Sequence, residues 1–365
     1  MSNLLRHISN VCTLGHKQKP TKKIDTKPLI VSNISKYVET CIDAKHCSEE
    51  STMLYLCVLD KKTKENHALP FRFALYNVKY NKYKALEWPS TAGVIPEDLE
   101  AITHIPGRKN EYIAMESFGK AYHIKFSLQS NTIKVLRTFQ LPSIYQFSGV
   151  MGGLESLSLF TKKDDDDENL YIMYGTRGGG KVPSSSTTTT TPSTTTNEQP
   201  YKYLPWYCVR SIYIPPAVST SSSEPITFGD DVQIHILNQA SVSSAIREMS
   251  DACFISEKDH FYRTCVIDHE ELSETVPIKD RINESWLFKQ NIGEANPKQL
   301  LLYIKGIKLE AIYTNESSGF IDFATDNDVV NGINYFGRFC LQTKHLEMVE
   351  LKKDFNVSGM APISL

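Results

Sequence analysis

A short phrase of one acidic residue, one small residue and one apolar residue recurs along this chain of 365 residues. The clearest copies are "LEAITHI", "LESLSLF", "SDACFIS" and "LEAIYT", whose acids are Glu100, Glu155, Asp251 and Glu310. A weaker fifth copy, "CIDAKHC", contains Asp43. The copies recur about every 55–60 residues, except for one longer gap that contains two low-complexity stretches. Such a period predicts a repeat architecture in which each copy belongs to one structural unit.

Each of the four clear copies is followed by a second segment in which apolar and polar residues alternate: "EYIAMES", "LYIMYGT", "FYRTCVI" and "FIDFATD". This alternation is typical of β-strands, and the chain has many such segments but no long amphipathic helix. We therefore predict an all-β protein that forms a single β-propeller with about four antiparallel strands per blade. Five blades are expected, and six are possible if the long gap contains another. Two stacked β-sandwiches would explain the alternation but not the even recurrence of the acid.

The low-complexity stretches define the expected domain organisation. Residues 1–30 form a basic tail that we expect to be disordered, and residues 31–365 form the propeller. Disordered insertions are predicted at 162–168, 178–200 and 217–225, because these acidic or Ser/Thr-rich stretches bury too little apolar surface to order themselves.

Composition limits the classes of function. The chain has 40 Lys+Arg against 42 Asp+Glu, so its net charge of -2 does not indicate a nucleic-acid partner. No apolar run is long enough to span a membrane, and no secretory signal is present. We expect a soluble, cytoplasmic monomer, with mitochondrial targeting by the basic N-terminal stretch as the alternative. The eight cysteines include no CxxC pair and are expected to be buried free thiols.

The innermost strand of each propeller blade lines the central channel, so residues at equivalent positions of successive blades lie near one axis. The recurring acids are therefore predicted to form a ring of carboxylates: Asp43, Glu100, Glu155, Asp251 and Glu310. Because like charges raise one another's pKa, such a ring needs compensation. It can come from a bound Ca²⁺, from Arg177 and Arg247, or from backbone N–H groups of the next blade. In the last case the acid is architectural.

A second candidate follows a predicted strand in "FATDNDVVNG". Asp326 and Asp328 suit a calcium ion, and they suit an ordinary Asx turn equally well. Arg177, in "YGTRGGG", is placed to hold an anion or to pair with the acidic ring.

The repeated phrases resemble those of the phytase-like (esterase-like) β-propeller family. The matching pieces are "DLEAITHIPGRKNEYIAMESFGKAYHI", "GGLESLSLFTKKDDDDENLYIMYGTRG", "REMSDACFISEKDHFYRTCVI" and "IKLEAIYTNESSGFIDFATDND". The resemblance implies the propeller fold, and related phytases bind several calcium ions and hydrolyse phosphate esters. It makes Glu100, Glu155, Asp251, Glu310 and Asp326 the channel acids. The small position of the phrase is not glycine in these copies, and no dense cluster of Lys and Arg accompanies the acids.

No nucleophile motif supports an enzyme, because neither GxSxG nor HExxH occurs in the chain. The sequence therefore favours a non-enzymatic module that binds a small-molecule or protein partner at the channel mouth. The alternative is a Ca²⁺-dependent phosphoesterase that uses the acidic ring.

Overall fold

The computed structural model of this chain describes residues 27–39, 42, 54–59, 71–93, 95–142, 153–164, 167–176, 205–216, 224–237, 246–247, 249–255, 260–267, 282–315, 319–327, 332–352 and 355–363. These residues form β-strands joined by turns, together with 3₁₀ turns at Ile34–Lys36 and Ser90–Ala92. The part of the chain that the structure describes contains no helix long and apolar enough to cross a membrane. The prediction of an all-β protein is confirmed.

The described residues contain 24 strands, most of them four to nine residues long. In chain order they are β1 Leu29–Val31, β2 Val38–Glu39, β3 Leu54–Leu59, β4 Phe71–Asn77, β5 Lys82–Glu87, β6 Leu99–His104, β7 Glu111–Glu116, β8 Lys120–Ser127, β9 Thr132–Gln140, β10 Leu154–Asp164, β11 Asp167–Thr176, β12 Trp206–Tyr213, β13 Thr227–Phe228, β14 Gln233–Ile236, β15 Ile246–Arg247, β16 Ala252–Ile255, β17 His260–Ile267, β18 Glu284–Asn291, β19 Gln299–Lys305, β20 Leu309–Asn315, β21 Phe320–Thr325, β22 Tyr335–Cys340, β23 Leu346–Glu350 and β24 Val357–Pro362.

These strands form five sheets, which are the blades of the molecule. Blade 1 contains β24, β3, β4 and β5; blade 2 contains β6 to β9; blade 3 contains β10 to β14; blade 4 contains β15 to β19; and blade 5 contains β20 to β23. Strands β24, β6, β10, β16 and β20 are the innermost strands, and each contacts the innermost strands of both neighbouring blades. The blades therefore close into a ring around a central channel. The chain is a five-bladed β-propeller, as the repeat predicts.

Blade 1 is built from both ends of the described chain. Its innermost strand, β24, pairs antiparallel with β3, so that hydrogen bonds between distant segments close the ring. The prediction that the "CIDAKHC" copy supplies the fifth inner strand is therefore wrong, because β24 occupies that place. Asp43 itself lies outside the described residues. Because β24 is paired with β3, its backbone N–H and C=O groups on that side are hydrogen-bonded within blade 1 and are not exposed.

Two other boundaries differ from those predicted. Strand β1, which starts at Leu29, pairs parallel with β19, and β2 pairs parallel with β23, so the N-terminal segment lies along the outer edges of blades 4 and 5. Leu29 and Ile30, which were predicted to belong to the tail, are therefore in strand β1. The acidic stretch 162–168 lies at the tip of the β10–β11 hairpin, whose strands reach Asp164 and begin again at Asp167. Cross-strand pairing continues from Lys162↔Asn169 to Asp164↔Asp167, so most of this stretch is strand. The predicted insertion 178–200 and most of 217–225 lie outside the described residues.

The recurring phrase corresponds to a β-bulge at the start of an inner strand. The register of pairing shifts at Leu99/Ala101, Leu154/Ser156, Leu309/Ala311 and Val357/Gly359. The extra residue of each bulge is Glu100, Glu155, Glu310 or Ser358. A bulge leaves one residue unpaired and re-aims its side chain, so the repeat preserves a backbone feature as well as a residue type. Blade 1 has Ser358 where the other blades have an acid.

The small residue after the bulge allows neighbouring inner strands to approach closely. A Cβ atom on Gly359 would lie 2.9 Å from Cα of Ala101 and 2.9 Å from the backbone N of Ile102. Real Cβ atoms essentially never come that close to backbone atoms, so only glycine fits between blades 1 and 2 here.

The core lies between the blades. Five large clusters of buried apolar side chains each span two neighbouring blades, such as Met115 of blade 2 with Tyr174 of blade 3, or Leu287 of blade 4 with Phe323 of blade 5. Each sheet therefore buries both of its faces, as a propeller blade must.

Candidate functional site

The central channel contains a cavity of about 300 Å³, which we call the lower channel. It is lined by residues 102–104, 157–159, 251–253, 312–314 and 360–362, together with Pro106 and Gly107. All five inner strands contribute, mostly with residues that follow the bulge. Pro106 and Gly107 belong to the turn after β6, so the cavity lies toward the C-terminal ends of the inner strands.

Peptide groups form part of the wall of the lower channel. In an antiparallel pair, alternate residues direct their N–H and C=O groups away from the partner strand. On an inner strand that direction is the channel or the next blade. The N–H of Leu159 donates to Oγ1 of Thr103 in the neighbouring blade at 3.2 Å. Because Ile105 donates its N–H to the carbonyl of Glu111 beside β7, the same alternation turns the peptide groups of Ile102 and His104 away from β7, toward the channel or the next blade.

Three titratable side chains of the lower channel, those of His104, Cys253 and Tyr313, are held in uncharged forms near neutral pH. Burial lowers the pKa of His104, outweighing a main-chain hydrogen bond with Arg108. Burial raises the pKa of the Cys253 thiol to about 12 and the pKa of Tyr313 above its usual value. At neutral pH, therefore, a neutral imidazole, a thiol and a phenol line the cavity.

Asp251 is the acid that lines the lower channel, and main-chain groups occupy both of its oxygens. Oδ1 accepts a hydrogen bond from the N–H of Ala252, and Oδ2 accepts one from Ile312 of the next blade, each at 2.7 Å. Burial raises the pKa of Asp251 well above its usual value, although the two N–H donors oppose the rise and Glu310 and Glu155 add to it. The carboxyl group of Asp251 thus connects blade 4 to blade 5.

The other predicted ring acids lie higher in the channel wall, at the bulges. Glu100, Glu155 and Glu310 are all buried but are not among the residues that line the cavity. Glu310 forms an ion pair of 2.8 Å with Lys308, which is also buried. At the equivalent position of blade 1, Ser358 donates a hydrogen bond to the carbonyl of Leu99 in blade 2 at 2.8 Å.

The described acids do not form the donor set that a calcium ion requires. Within the described ranges, no group of three or more His, Cys, Asp or Glu side chains can hold a metal ion. Asp326 is buried after β21, and its N–H donates to the carbonyl of Lys308. The next residue, Asn327, accepts the N–H of Lys308 through Oδ1 and donates to Ile333 through its side-chain amide. Asp326 and Asn327, which follow β21, are therefore held by hydrogen bonds to Lys308, the residue before β20.

The remaining predicted residues do not join the described site. Arg177 and Asp328 lie outside the described residues. Arg247 is in β15, where its backbone pairs with Val266, and its side chain is not described.

Sequence reasoning missed the polar residues that do line the lower channel. Thr103, His104, Tyr313 and Thr314 follow the acid of their phrase by three or four positions. The signal available in the sequence is this fixed offset, which recurs in "LEAITHI" and "LEAIYT".

Comparison with known proteins gives solved structures only. No protein-family model and no curated protein matches the chain. The chain is similar to the periplasmic gluconolactonase PpgL of Pseudomonas aeruginosa, with a TM-score of 0.36 and 9% identity over 82% of each chain. It is also similar to the β-propeller domain of Cps50 (Swd1) from Myceliophteria thermophila, with a TM-score of 0.30 and 11% identity over 83% of this chain and 88% of the other. Neither likeness extends beyond the fold.

Proposed function

We propose that this propeller is a non-enzymatic module that binds a small molecule in the lower channel. The observation that carries the proposal is the cavity of about 300 Å³, to which the inner strands of all five blades contribute. This volume is at the lower end of the range in which proteins bind small ligands. Hydroxyl and peptide groups lie there beside aliphatic side chains, which is the mixture that orients and buries a ligand.

A calcium-dependent phosphoesterase, which the resemblance to phytase-like propellers implies, has less support. Such an enzyme needs carboxylates that hold metal ions, together with Lys or Arg around the phosphate. Among the described residues that line the lower channel there is no Lys or Arg. Asp251 already accepts two main-chain hydrogen bonds. On the basis of the recurring phrase, we propose kinship with the phytase-like family in architecture only.

Two replacements at one position test the proposed binding site. Thr103 is half-buried, lines the lower channel, and accepts the N–H of Leu159 through its hydroxyl. Thr103→Phe and Thr103→Val both remove this hydroxyl, but only Phe adds a ring that fills the cavity. The valine variant is therefore the matched control for the lost hydrogen bond.

The measurement is a screen of uncharged, anionic and cationic fragments by ligand-observed NMR against the wild type and both variants. We expect fragments that bind the wild type and Thr103→Val but not Thr103→Phe. If no fragment distinguishes the two variants, the lower channel is not a binding site. Turnover of a chromogenic phosphate ester by the wild type, abolished by EDTA, would favour the phosphoesterase instead.

A further inference from the structure

We infer that the surface where blades 2 and 3 meet binds a phosphate group. We call it the basic surface, and it is formed by Arg108, Lys125, Lys134, Arg137 and Arg210. The inference goes beyond the proposed function, because none of these residues lines the lower channel. It depends on the strands that carry the cations, on the acids that face them and on the hydrogen-bond donors that they leave available.

The register of blade 2 places three of these cations on one face of the sheet. Lys125 of β8 is directly opposite Lys134 of β9, and His123 of β8 is directly opposite Arg137. Residues two apart on a strand share a face, so Lys125, Lys134 and Arg137 lie side by side. Like charges directly opposite each other destabilise a sheet. The Lys125–Lys134 pair therefore has a cost that a bound anion would remove.

Blade 3 holds both arginines of blade 2 at this surface. Arg137 donates to the carbonyls of Pro215 and Pro216, each at 3.1 Å. Arg108 donates to the carbonyl of Pro215 at 3.1 Å and also to that of Ile214. A carbonyl orients a guanidinium but carries no net charge, so these hydrogen bonds leave the positive charge of both arginines in place.

The blade 3 side of the basic surface adds a further cation. The guanidinium of Arg210, in β12, lies 5.4 Å from the ring centroid of Phe228. That ring is 6.1 Å from the ring of Phe139 in β9, so Arg210 faces blade 2. The acids on this side that the structure describes nearest in the chain are Asp230 and Asp231, in the turn between β13 and β14.

Glu111 is the acid that contacts the cations of blade 2. Its carboxylate lies 3.2 Å from the ammonium of Lys125, 3.1 Å from the ring of His123 and 3.6 Å from Arg108. Together with Asp230 and Asp231, the described part of this surface has three carboxylates against five cations. A phosphate monoester carries about 1.5–2 negative charges at pH 7, so it offsets most of this excess.

The cations keep donors that a phosphate can reach. The side chain of Lys125 is 51% exposed, Lys134 is exposed and Arg137 is half-buried. Arg137 has five N–H donors, and hydrogen bonds to His123 and to two carbonyls use three of them within the described residues. Each lysine ammonium has three, of which Glu111 accepts one from Lys125. A phosphate group, with three strong acceptor oxygens, is the complement of several such donors.

The test uses two matched double variants. Lys125→Gln/Lys134→Gln removes two positive charges from the basic surface, and Lys82→Gln/Lys84→Gln removes two exposed lysines from β5 of blade 1. Urea unfolding first establishes that both variants are as stable as the wild type. Binding of inorganic phosphate, nitrate, a phosphoserine peptide and its unphosphorylated form is then measured by NMR titration at constant ionic strength and neutral pH.

We expect phosphate to bind the wild type about tenfold or more tightly than nitrate, which carries a single charge. In Lys125→Gln/Lys134→Gln the affinity for phosphate should fall about tenfold or more, because charge-assisted hydrogen bonds are lost. In Lys82→Gln/Lys84→Gln it should fall less than about twofold, because salt screens charges on another blade. The unphosphorylated peptide should not bind.

The two peptides identify the source of the phosphate. Tighter binding of the phosphoserine peptide than of inorganic phosphate, lost in Lys125→Gln/Lys134→Gln, assigns the phosphate to a protein segment, and equal binding assigns it to a small phosphate. Equal losses in the two double variants, equal binding of nitrate and phosphate, or no saturable binding of phosphate would overturn the inference. None of these results bears on the proposed binding site at Thr103.

Discussion

Tyr55 and Tyr313 have the same side chain but lie in two different environments: Tyr55 at a contact between blades, and Tyr313 in the wall of the lower channel. Their rings meet edge to face, with centroids 5.7 Å apart. The hydroxyl of Tyr55, in blade 1, donates to the buried carboxylate of Asp322 in blade 5, which also receives two hydrogen bonds from Arg338. Tyr313 instead lines the lower channel, where its phenol is partly exposed.

The contact between blades 2 and 3 follows the same rule as the contact at Tyr55. Arg108 and Arg137 of blade 2 both donate to the carbonyl of Pro215. Pro215 lies just after the end of β12 in blade 3. Charged groups at the contacts between blades are thus hydrogen-bonded to partners in the protein, whereas most residues that line the lower channel are uncharged. The difference indicates that the buried charges of this propeller stabilise the ring, and that uncharged residues form most of the surface available to a ligand.

The largest effect on stability is expected from Arg338→Met. This change leaves the carboxylate of Asp322 buried without its cation, and breaking a buried ion pair in this way costs about 3–5 kcal/mol of unfolding free energy. Urea unfolding measures the loss. Lys120→Met is the control, because Lys120 is exposed and lies 3.8 Å from Glu116, a pair worth less than about 1 kcal/mol. Similar losses in both variants would show that this buried ion pair of blade 5, to which Tyr55 of blade 1 donates, has no special weight.

A second test uses pH and a buried histidine of blade 2, next to the arginine that donates to Pro215 of blade 3. His123 is fully buried, with Nε2 3.1 Å from Glu111 and Nδ1 3.2 Å from Arg137. The arginine side chain can only donate hydrogen bonds, so Nδ1 of His123 must accept one from Arg137. Nε2 of His123 must then carry the ring proton and donate a hydrogen bond to Glu111. Burial lowers the pKa of His123 to about 4, against the effect of Glu111 and with the help of the positive charges of Arg137 and Arg108.

The lowered pKa makes the protein less stable in acid. The unfolded histidine, with a pKa of about 6.5, binds a proton before the folded one does, so stability is lost as the pH falls from about 6.5 to about 4. The loss amounts to about 3 kcal/mol for this shift. His123→Gln keeps a donor and an acceptor and should remove this dependence, measured by urea unfolding at several pH values. An unchanged slope in His123→Gln would contradict the assignment.

The smallest effect compares the two tyrosines directly. Tyr55→Phe removes a hydrogen bond to a buried carboxylate and should cost about 1.5–3 kcal/mol of unfolding free energy. Tyr313→Phe makes the same chemical change in the wall of the lower channel and should cost less than about 0.5 kcal/mol. For Tyr313→Phe the loss should instead be in the affinity of fragments that bind the lower channel, measured by NMR titration. Equal stability losses in the two variants would remove the distinction between the contact and the cavity.

The fold could be predicted because the repeated phrase marks the start of the inner strand in successive blades. Three of the four clear copies mark a bulge at the start of an inner strand, and the fourth, at Asp251, directly precedes inner strand β16, so their spacing counts the blades. The copy in β24 was not recognised because Ser358 replaces the acid and because blade 1 combines distant segments. A search for the order apolar, polar, small and apolar, without requiring an acid, finds "VSGM".

The candidate site could not be predicted in the same way. A bulge shifts the alternation of side chains by one residue, so the residues that reach the axis cannot be assigned from the pattern before it. The acid is the most conspicuous residue of the phrase, yet the carboxylate of Asp251 is taken by N–H groups of its own and the next blade. The hydroxyl of Thr103, three positions beyond an acid, lines the cavity instead.

A crystal structure grown with Ca²⁺ and soaked with a fragment that binds the wild type but not Thr103→Phe would test most directly whether the ligand site is the lower channel or the ring of acids. We predict density for the fragment between Thr103 and Tyr313, with Asp251 still accepting the N–H of Ile312. A cation coordinated by Glu100, Glu155, Asp251 and Glu310, with no fragment density in the lower channel, would contradict this account.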